Sequence, residues 1–217
     1  AMLDVKVDDF FISMNGFTID SIKQQTSLAV FQDQRAVKFE MARFIPNSSK
    51  ASIHYGFSDF KKLAKAIGAK NDLESDIADE LTVCTIDQEQ NKFLLFIKLK
   101  DHNLVSLDSG DYFESYAGYE IRSSKSSKLH QTFRDLIPTG NYEFYTVREN
   151  FGFFAEDVAD IKSLIDAIEN EDTWGRSLSF QRFYERGLQE SNISMFFKEL
   201  ILNDGISKKW KPLIDSM

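Results

Sequence analysis

Between Tyr142 and Phe197 the spacing of apolar residues switches from two to about 3.6 and back to two. A chain that does this must lay helices against a sheet it has only just begun to build. Tyr142, Phe144, Tyr145 and Val147 stand among polar residues in a run of aromatic and β-branched types, which suits a pleated, partly buried strand. Arg148-Glu149-Asn150 interrupts the run and Phe151 to Phe154 resumes it, so residues 142 to 155 read as a hairpin. From Asp157 the pattern changes. Ile161, Leu164, Ile165 and Ile168 fall at i, i+3, i+4 and i+7, one stripe of a helix. Asp157, read as its cap, and Asp160 lie where carboxylates meet free amides and the positive end of the helix dipole. Trp174-Gly175 breaks the pattern. Ser177 or Ser179 then caps a second helix carrying Phe180, Phe183, Tyr184 and Leu188, weakened at its last turn by Gly187, and Ile193 to Phe197 is the strand that follows.

The rest of the chain offers further strands for the same sheet. Leu3, Val5 and Val7, then Phe10 to Met14, predict a strand pair around Asp8-Asp9. Asn15-Gly16 predicts a turn, with Phe17 to Ile19 running back. Ser27 to Gln32 reads as a short helix with Leu28 and Phe31 inward, and Val37 to Ile45 as a strand stopped by Pro46. Ala51 to Phe57 is a strand. Ser58 caps a helix with Phe60, Leu63, Ala64 and Ile67 on its inner face and Gly68 as its stop. Asn71 to Asp79 is polar, a short helix or loop. Leu81 to Ile86 and Phe93 to Leu99 form a hairpin, and the unbroken apolar run Phe93 to Ile97 belongs at the centre of a sheet, buried on both faces. Tyr116 to Ile121 reads as a strand, followed by the serine-rich turn Arg122 to Lys128. Leu129, Phe133, Leu136 and Ile137 make a helical stripe ending at Pro138, with a strand as the alternative. Ile201, Leu202, Trp210, Leu213 and Ile214 suggest a terminal helix.

These elements add up to an α+β fold, an antiparallel sheet with helices packed on one face. Ser49 to Tyr55 matches Ser191 to Phe197 in pattern, and Phe11-Ile12 falls on Phe153-Phe154 at the same spacing of 142 residues, as a pseudo-duplicated unit would. Residues 1–217 are therefore one domain or two intimately packed halves, about 1–70 plus 71–141 and 142–217. The chain begins inside strand-like sequence and ends among apolar residues without an evident partner, which reads as an excised piece of something longer.

Composition removes several function classes. A net charge of -8 argues against a nucleic-acid binder, which needs clustered Lys and Arg to neutralise phosphates. No apolar run approaches the roughly 20 residues of a membrane helix, so this piece inserts in no membrane by a helix. A single cysteine, Cys84, excludes an internal disulfide and a cysteine-based metal site.

Three stretches carry a family resemblance. One is Ile12 to Thr18, followed by Phe44 to Ser49 and His54 to Phe60. Another is Tyr116-Ala-Gly-Tyr-Glu-Ile-Arg122. The third is Phe151 to Phe197, where a strand leads to a helix, a Ser-Leu-x-Phe segment and then Ser191-Asn-Ile-Ser-Met-Phe-Phe197. Together they resemble the DUF3352 family of uncharacterised bacterial proteins, in the form found in Bacteroidetes. The resemblance implies an internal section of an envelope protein, periplasmic or otherwise in the cell envelope, with a protein or another envelope component as partner. It brings no catalytic residues with it.

Chemistry is thinly signalled. His54, His102 and His130 are far apart and form no H-x-H or H-x-x-x-H pair; His54 lies in a strand and reads as a packed residue. Cys84 alternates within Leu81 to Ile86 as a small core residue. Asp8-Asp9, Glu156-Asp157 and Glu171-Asp172 are acidic neighbours that point apart, hence caps and turns rather than a cation site. Ser123 to Lys128 is a solvated basic loop, and no P-loop, nucleophile-elbow or Rossmann glycine pattern occurs. No catalytic, cofactor or metal-binding residue is assigned, and no cofactor is expected. The 20 Phe, 7 Tyr and 2 Trp read mainly as core; Trp174, at a polar break between helices, and Trp210 are the candidates for contact with a partner. A non-catalytic module that scaffolds or binds another macromolecule is the expected function. A small-molecule or lipid carrier and a hydrolase with a site assembled from dispersed residues are the alternatives.

Overall fold

The run Phe93 to Ile97 is buried along its whole length, and the sheet is built outward from it. The computed structural model describes residues 2–7, 11–17, 29–31, 33–69, 77–87, 92–100, 110–124, 132–133, 136–138, 140–187 and 189–198. Twelve strands are described: β1 (Met2–Val7), β2 (Phe11–Phe17), β3 (Val37–Lys38), β4 (Ala51–Gly56), β5 (Ile77–Asp87), β6 (Lys92–Leu99), β7 (Tyr112–Tyr116), β8 (Tyr119–Ser123), β9 (Phe144–Arg148), β10 (Phe151–Ala155), β11 (Glu190–Ser191) and β12 (Ile193–Lys198). Three α-helices accompany them: α1 (Phe60–Ala66), α2 (Val158–Glu169) and α3 (Leu178–Glu185). Ten strands make one sheet in the order β1-β2-β12-β4-β5-β6-β10-β9-β8-β7, and β11 pairs with β3 in a small separate ribbon. All the pairings are antiparallel.

Period-two alternation sends each strand's side chains to two cores. Ile53, Tyr55, Val83, Leu95, Ile97 and Phe154 face one core, where α1 contributes Phe60, Leu63 and Ala64. Cys84, Leu94, Phe96, Phe151 and Phe153 face the other, where α2 contributes Ile161, Leu164 and Ile165 and α3 contributes Phe180 and Phe183. The α+β class and the antiparallel sheet are as the sequence led us to expect. The helices divide two to one between the faces rather than sharing one, because β6 and β10 carry large apolar residues on both sides.

The segment from Phe144 to Phe197 follows its sequence pattern closely, down to Ser177 Oγ accepting from the Phe180 amide at 3.4 Å, while the terminal helix expected around Ile201 to Ile214 lies outside the described residues. Elsewhere tertiary pairing overrides local signals. Asn15-Gly16 is no turn: it lies inside β2, with Asn15 opposite Asp4 and Gly16 opposite Leu3. β1 pairs with the dipeptide directly, and β12 pairs with the residues just before it, Phe11 to Met14, so the ladder holds extended a dipeptide that alone prefers to turn. The stretch Tyr116 to Ile121 is the reverse case. Ala117 and Gly118 both take positive φ (48° and 84°), the two-residue turn that joins β7 to β8. Residues 37–45 are not one strand, since after β3 the chain winds into a 3-10 turn over Met41–Phe44. At α1 the cap is Asp59, which accepts from the Lys62 amide at 3.1 Å, while Ser58 bonds Gln34. Asp157 holds the cap position of α2, but its carboxylate turns instead to Lys92 Nζ at 2.7 Å.

The matched stretches around β4 and β12 are sheet neighbours, paired Ile53 to Met195. β2 adjoins β12 whereas β10 adjoins β6, so a rotation exchanging β4 and β12 carries β2 onto β5, not onto β10. The strand order does not make the two sets of matches equivalent.

Candidate functional site

Across β12, β4, β5 and β6 one row of the sheet reads Ser194, His54, Thr82, Phe96, each opposite the next. Three of those four side chains are polar and all four are buried. Glu80 lies two residues before Thr82, opposite Gly56 and beside a register shift in the β5–β6 ladder. Its Oε1 stands 3.4 Å from His54 Nδ1 and accepts the Met41 amide at 2.9 Å. Phe39 tilts over the imidazole, ring centres 4.6 Å apart, and stacks on Phe196 at 5.2 Å. Gly56 leaves room for β3 and β11 to cross: a Cβ there would come within 2.5 Å of both Ser191 O and Val37 Cγ2. The result is a polar pair closed in on every side.

Burial dominates its electrostatics. It pushes His54 down to about 3, with the charge of Lys98 as the lesser cause, and it pushes Glu80 up to about 8. The amide of Met41 and the charge of Lys98 work against that rise in Glu80, and the carboxylates of Glu40 and Asp79 add to it. Burial also works against the Lys98 ammonium, but its contacts with Asp79 and Glu40, each at 3.1 Å, outweigh that and hold its pKa above the ordinary lysine value. Serine, histidine and glutamate thus share one neighbourhood, and the arrangement is still not a hydrolytic triad. His54 Nε2 has no hydrogen-bond partner, and the Ser194 hydroxyl bonds that of Ser191 at 2.5 Å. His54 and Ser194 are 0% and 3% exposed, so no substrate reaches either.

The residues singled out from the sequence fall as follows. Cys84 is buried with its thiol pushed up by burial, 3.8 Å from Ser52 Oγ, an inert core position. His102, His130 and Trp210 lie outside the described residues. Trp174 was expected at a surface and is 0% exposed: its ring packs against Phe180 with centres 5.2 Å apart, and its amide donates to Ile45 O at 2.8 Å. Polar neighbours in sequence hid it, because the break from Asn170 to Thr173 turns the chain inward, where Pro46 and Thr173 form a bridge. Among the described residues no group of three or more His, Cys, Asp or Glu is placed to hold a metal ion. No described helix is long and apolar enough to cross a membrane.

The apolar residues that the fold leaves outside are Tyr112 (59% exposed), Phe113 (51%) and Leu178 (68%), counted among the described residues. Two of the three are adjacent on β7, the last strand of the ten-stranded sheet, which among the described residues pairs with β8 alone. The β7–β8 ladder slips between Tyr112 and Glu114, so Phe113 is the extra residue of a bulge. It packs edge-on against Phe144 with ring centres 5.0 Å apart. The hairpin itself is fixed to α2: Tyr116 donates to Asp166 at 3.0 Å, Tyr119 to Glu169 at 2.6 Å, and Glu114 pairs with Lys162 at 2.9 Å. No single residue of that hairpin looked like a site in the sequence; Tyr112 and Phe113 together, just ahead of the Ala-Gly turn, were the available signal.

No family model, no curated protein and no solved structure matches the chain. The resemblance to the DUF3352 family therefore rests on the motifs quoted above alone.

Proposed function

We propose that this chain is a non-catalytic binding module that takes up an extended polypeptide along β7. The observation that carries the reading is the exposed Tyr112-Phe113 pair on the outermost strand of a sheet in which no other large apolar side chain is exposed among those whose burial is described. An unpaired strand edge offers backbone donors and acceptors to a further strand, and aromatic side chains beside it supply the apolar anchor. The bulge at Phe113 and the charge of Glu114 limit unspecific pairing. A hairpin bonded to α2 presents that edge without having to order itself first. The sealed state of His54, Ser194 and Cys84 supports a function that needs no nucleophile. The motifs resembling DUF3352 add a setting to the proposal, the bacterial envelope or periplasm, in which another envelope protein supplies the strand.

The test is a displayed library of random peptides selected on the whole chain, with counter-selection on the double variant Tyr112→Ser/Phe113→Ser. Tyr112 is exposed and Phe113 keeps one ring contact, with Phe144, so the variant is expected to lose only about 0.5–1.5 kcal/mol of stability and to stay folded. Enriched peptides should alternate apolar and polar residues and lose about tenfold or more in affinity for the variant. No enrichment, or peptides that bind both proteins alike, would overturn the reading.

A further inference from the structure

The His54–Glu80 pair lies beneath one stretch of chain, residues 37–45, and side chains tie that stretch down at a few identifiable points. The Met41 amide donates to Glu80 Oε1 at 2.9 Å and the Phe39 amide to Tyr184 Oη at 3.3 Å. Lys98 Nζ holds Glu40 at 3.1 Å. We propose that His54 and Glu80 are a proton-dependent latch: with one proton between them they hold residues 37–45 against the sheet, and losing it as pH rises through neutrality releases that stretch.

The geometry dictates what the pair tolerates. Two proton-binding groups face each other at 3.4 Å under Phe39, with His54 fully buried. With one proton the pair is neutral as a unit, whether as carboxylic acid and imidazole or as carboxylate and imidazolium. With none it is a buried anion, and with two a buried cation, and burial away from solvent penalises either. The titratable and charged groups around the pair do not supply the missing balance. Asp79 of β5 and Glu40 of the covering stretch both already share Lys98 of β6. Tyr184 of α3 is committed as a donor to Gln189 O at 2.6 Å, and Glu190 of β11 adds negative charge on that side. One ammonium shared with two carboxylates offsets only part of the cost of an ionised Glu80, and the carboxylates add to that cost.

The signs follow from counting protons. Closed, Glu80 keeps its proton up to about 8 and His54 takes none until about 3; once uncovered, they return towards the ordinary 4.5 and 6.5. Between about 4.5 and 6.5 closed and open forms each hold one proton, and opening is indifferent to pH. From about 6.5 to about 8 the closed form holds one and the open form none, so opening gains about tenfold per pH unit. Below about 4.5 the open form holds the extra proton, and acid loosens the latch as well.

The experiment is amide hydrogen exchange on the whole chain from about pH 5 to 8, corrected for the intrinsic rate. The Phe39 and Met41 amides should be less protected than those of Leu95 and Ile97 in β6 at every pH, showing a local opening. Their protection should be level to about pH 6.5 and then fall about tenfold per unit. Glu80→Gln has no proton to lose there and should stay level above about 6.5, losing protection only below it, where an uncovered His54 takes up a proton. Protection equal to that of β6, a level profile in wild type, or a slope above about pH 6.5 that survives in Glu80→Gln would each overturn the proposal. Should Glu80→Gln fail to fold, the carbon resonances of the Glu80 carboxyl and the His54 ring in wild type decide at about pH 7. One proton on the pair supports the latch, and none overturns it.

Discussion

Replacing Trp174 by alanine is expected to cost about 3–5 kcal/mol of unfolding free energy, the range for deleting a large aromatic side chain from a packed core. The residue is 0% exposed and sits where three elements meet: its ring lies against Phe180 of α3 and edge-on to Phe196 of β12 at 6.3 Å, and the 3-10 turn it opens rests on the turn at Met41–Phe44. That last contact is backbone on backbone, since a Cβ on Gly175 would stand 2.4 Å from Arg43 Cα. The walls cannot close in on the space left behind. Denaturant unfolding is the measurement. A cost under about 1 kcal/mol would mean that Trp174 is held loosely, and the surface role its sequence context suggested would be open again.

Phe39→Ala is expected to be of similar size, about 3–5 kcal/mol, with a second signature that a plain core residue lacks. Phe39 is 4% exposed, stacked on Phe196 at an interplanar angle of 15° and tilted over His54. Removing the ring lets water reach the imidazole, and the desolvation that holds His54 near 3 is largely relieved. Its folded-state pKa should move up towards 6.5. In wild type His54 is depressed on folding, so the unfolded chain binds the extra proton below the ordinary value, and this group's contribution to stability falls as pH falls through about 6.5 towards 3. In Phe39→Ala that acid-side loss should shrink. A ring titration followed by NMR reads the shift directly; a His54 that stays neutral to about pH 3 in the variant would show that Phe39 is not its cover.

What the sequence made legible was whatever short spacing decides. From Tyr142 to Phe197 each element is set by residues within one or two turns of each other, and the hairpin, both helices and the closing strand lie where the periodicity put them. Phe93 to Ile97 needed no partner to reveal itself, because a strand apolar on both sides has to be central. What was hidden depended on neighbours distant in sequence. Asn15-Gly16 is kept straight by its pairing with β1, in a strand whose other side, from Phe11 to Met14, is held by β12 from the far end of the chain. Trp174 is drawn inside by Pro46 and Ile45. The His54–Glu80 contact is a diagonal across the β4–β5 pairing, which no local pattern marks, and His54 alone looked like an ordinary strand residue. The β7 edge was hidden for a different reason: Tyr116 to Ile121 was read as one strand, so the turn at Ala117-Gly118, and with it the identity of the outermost strand, went unseen.

The most direct test of the binding reading is a hydrogen-exchange footprint of a selected peptide on the wild-type chain. A strand added to β7 bonds the amides that face away from β8, so alternate amides between Tyr112 and Tyr116 should gain protection while those of α1 and α3 keep theirs. Protection that gathers instead on a helix or on the β3–β11 ribbon, with β7 unchanged, would contradict the account.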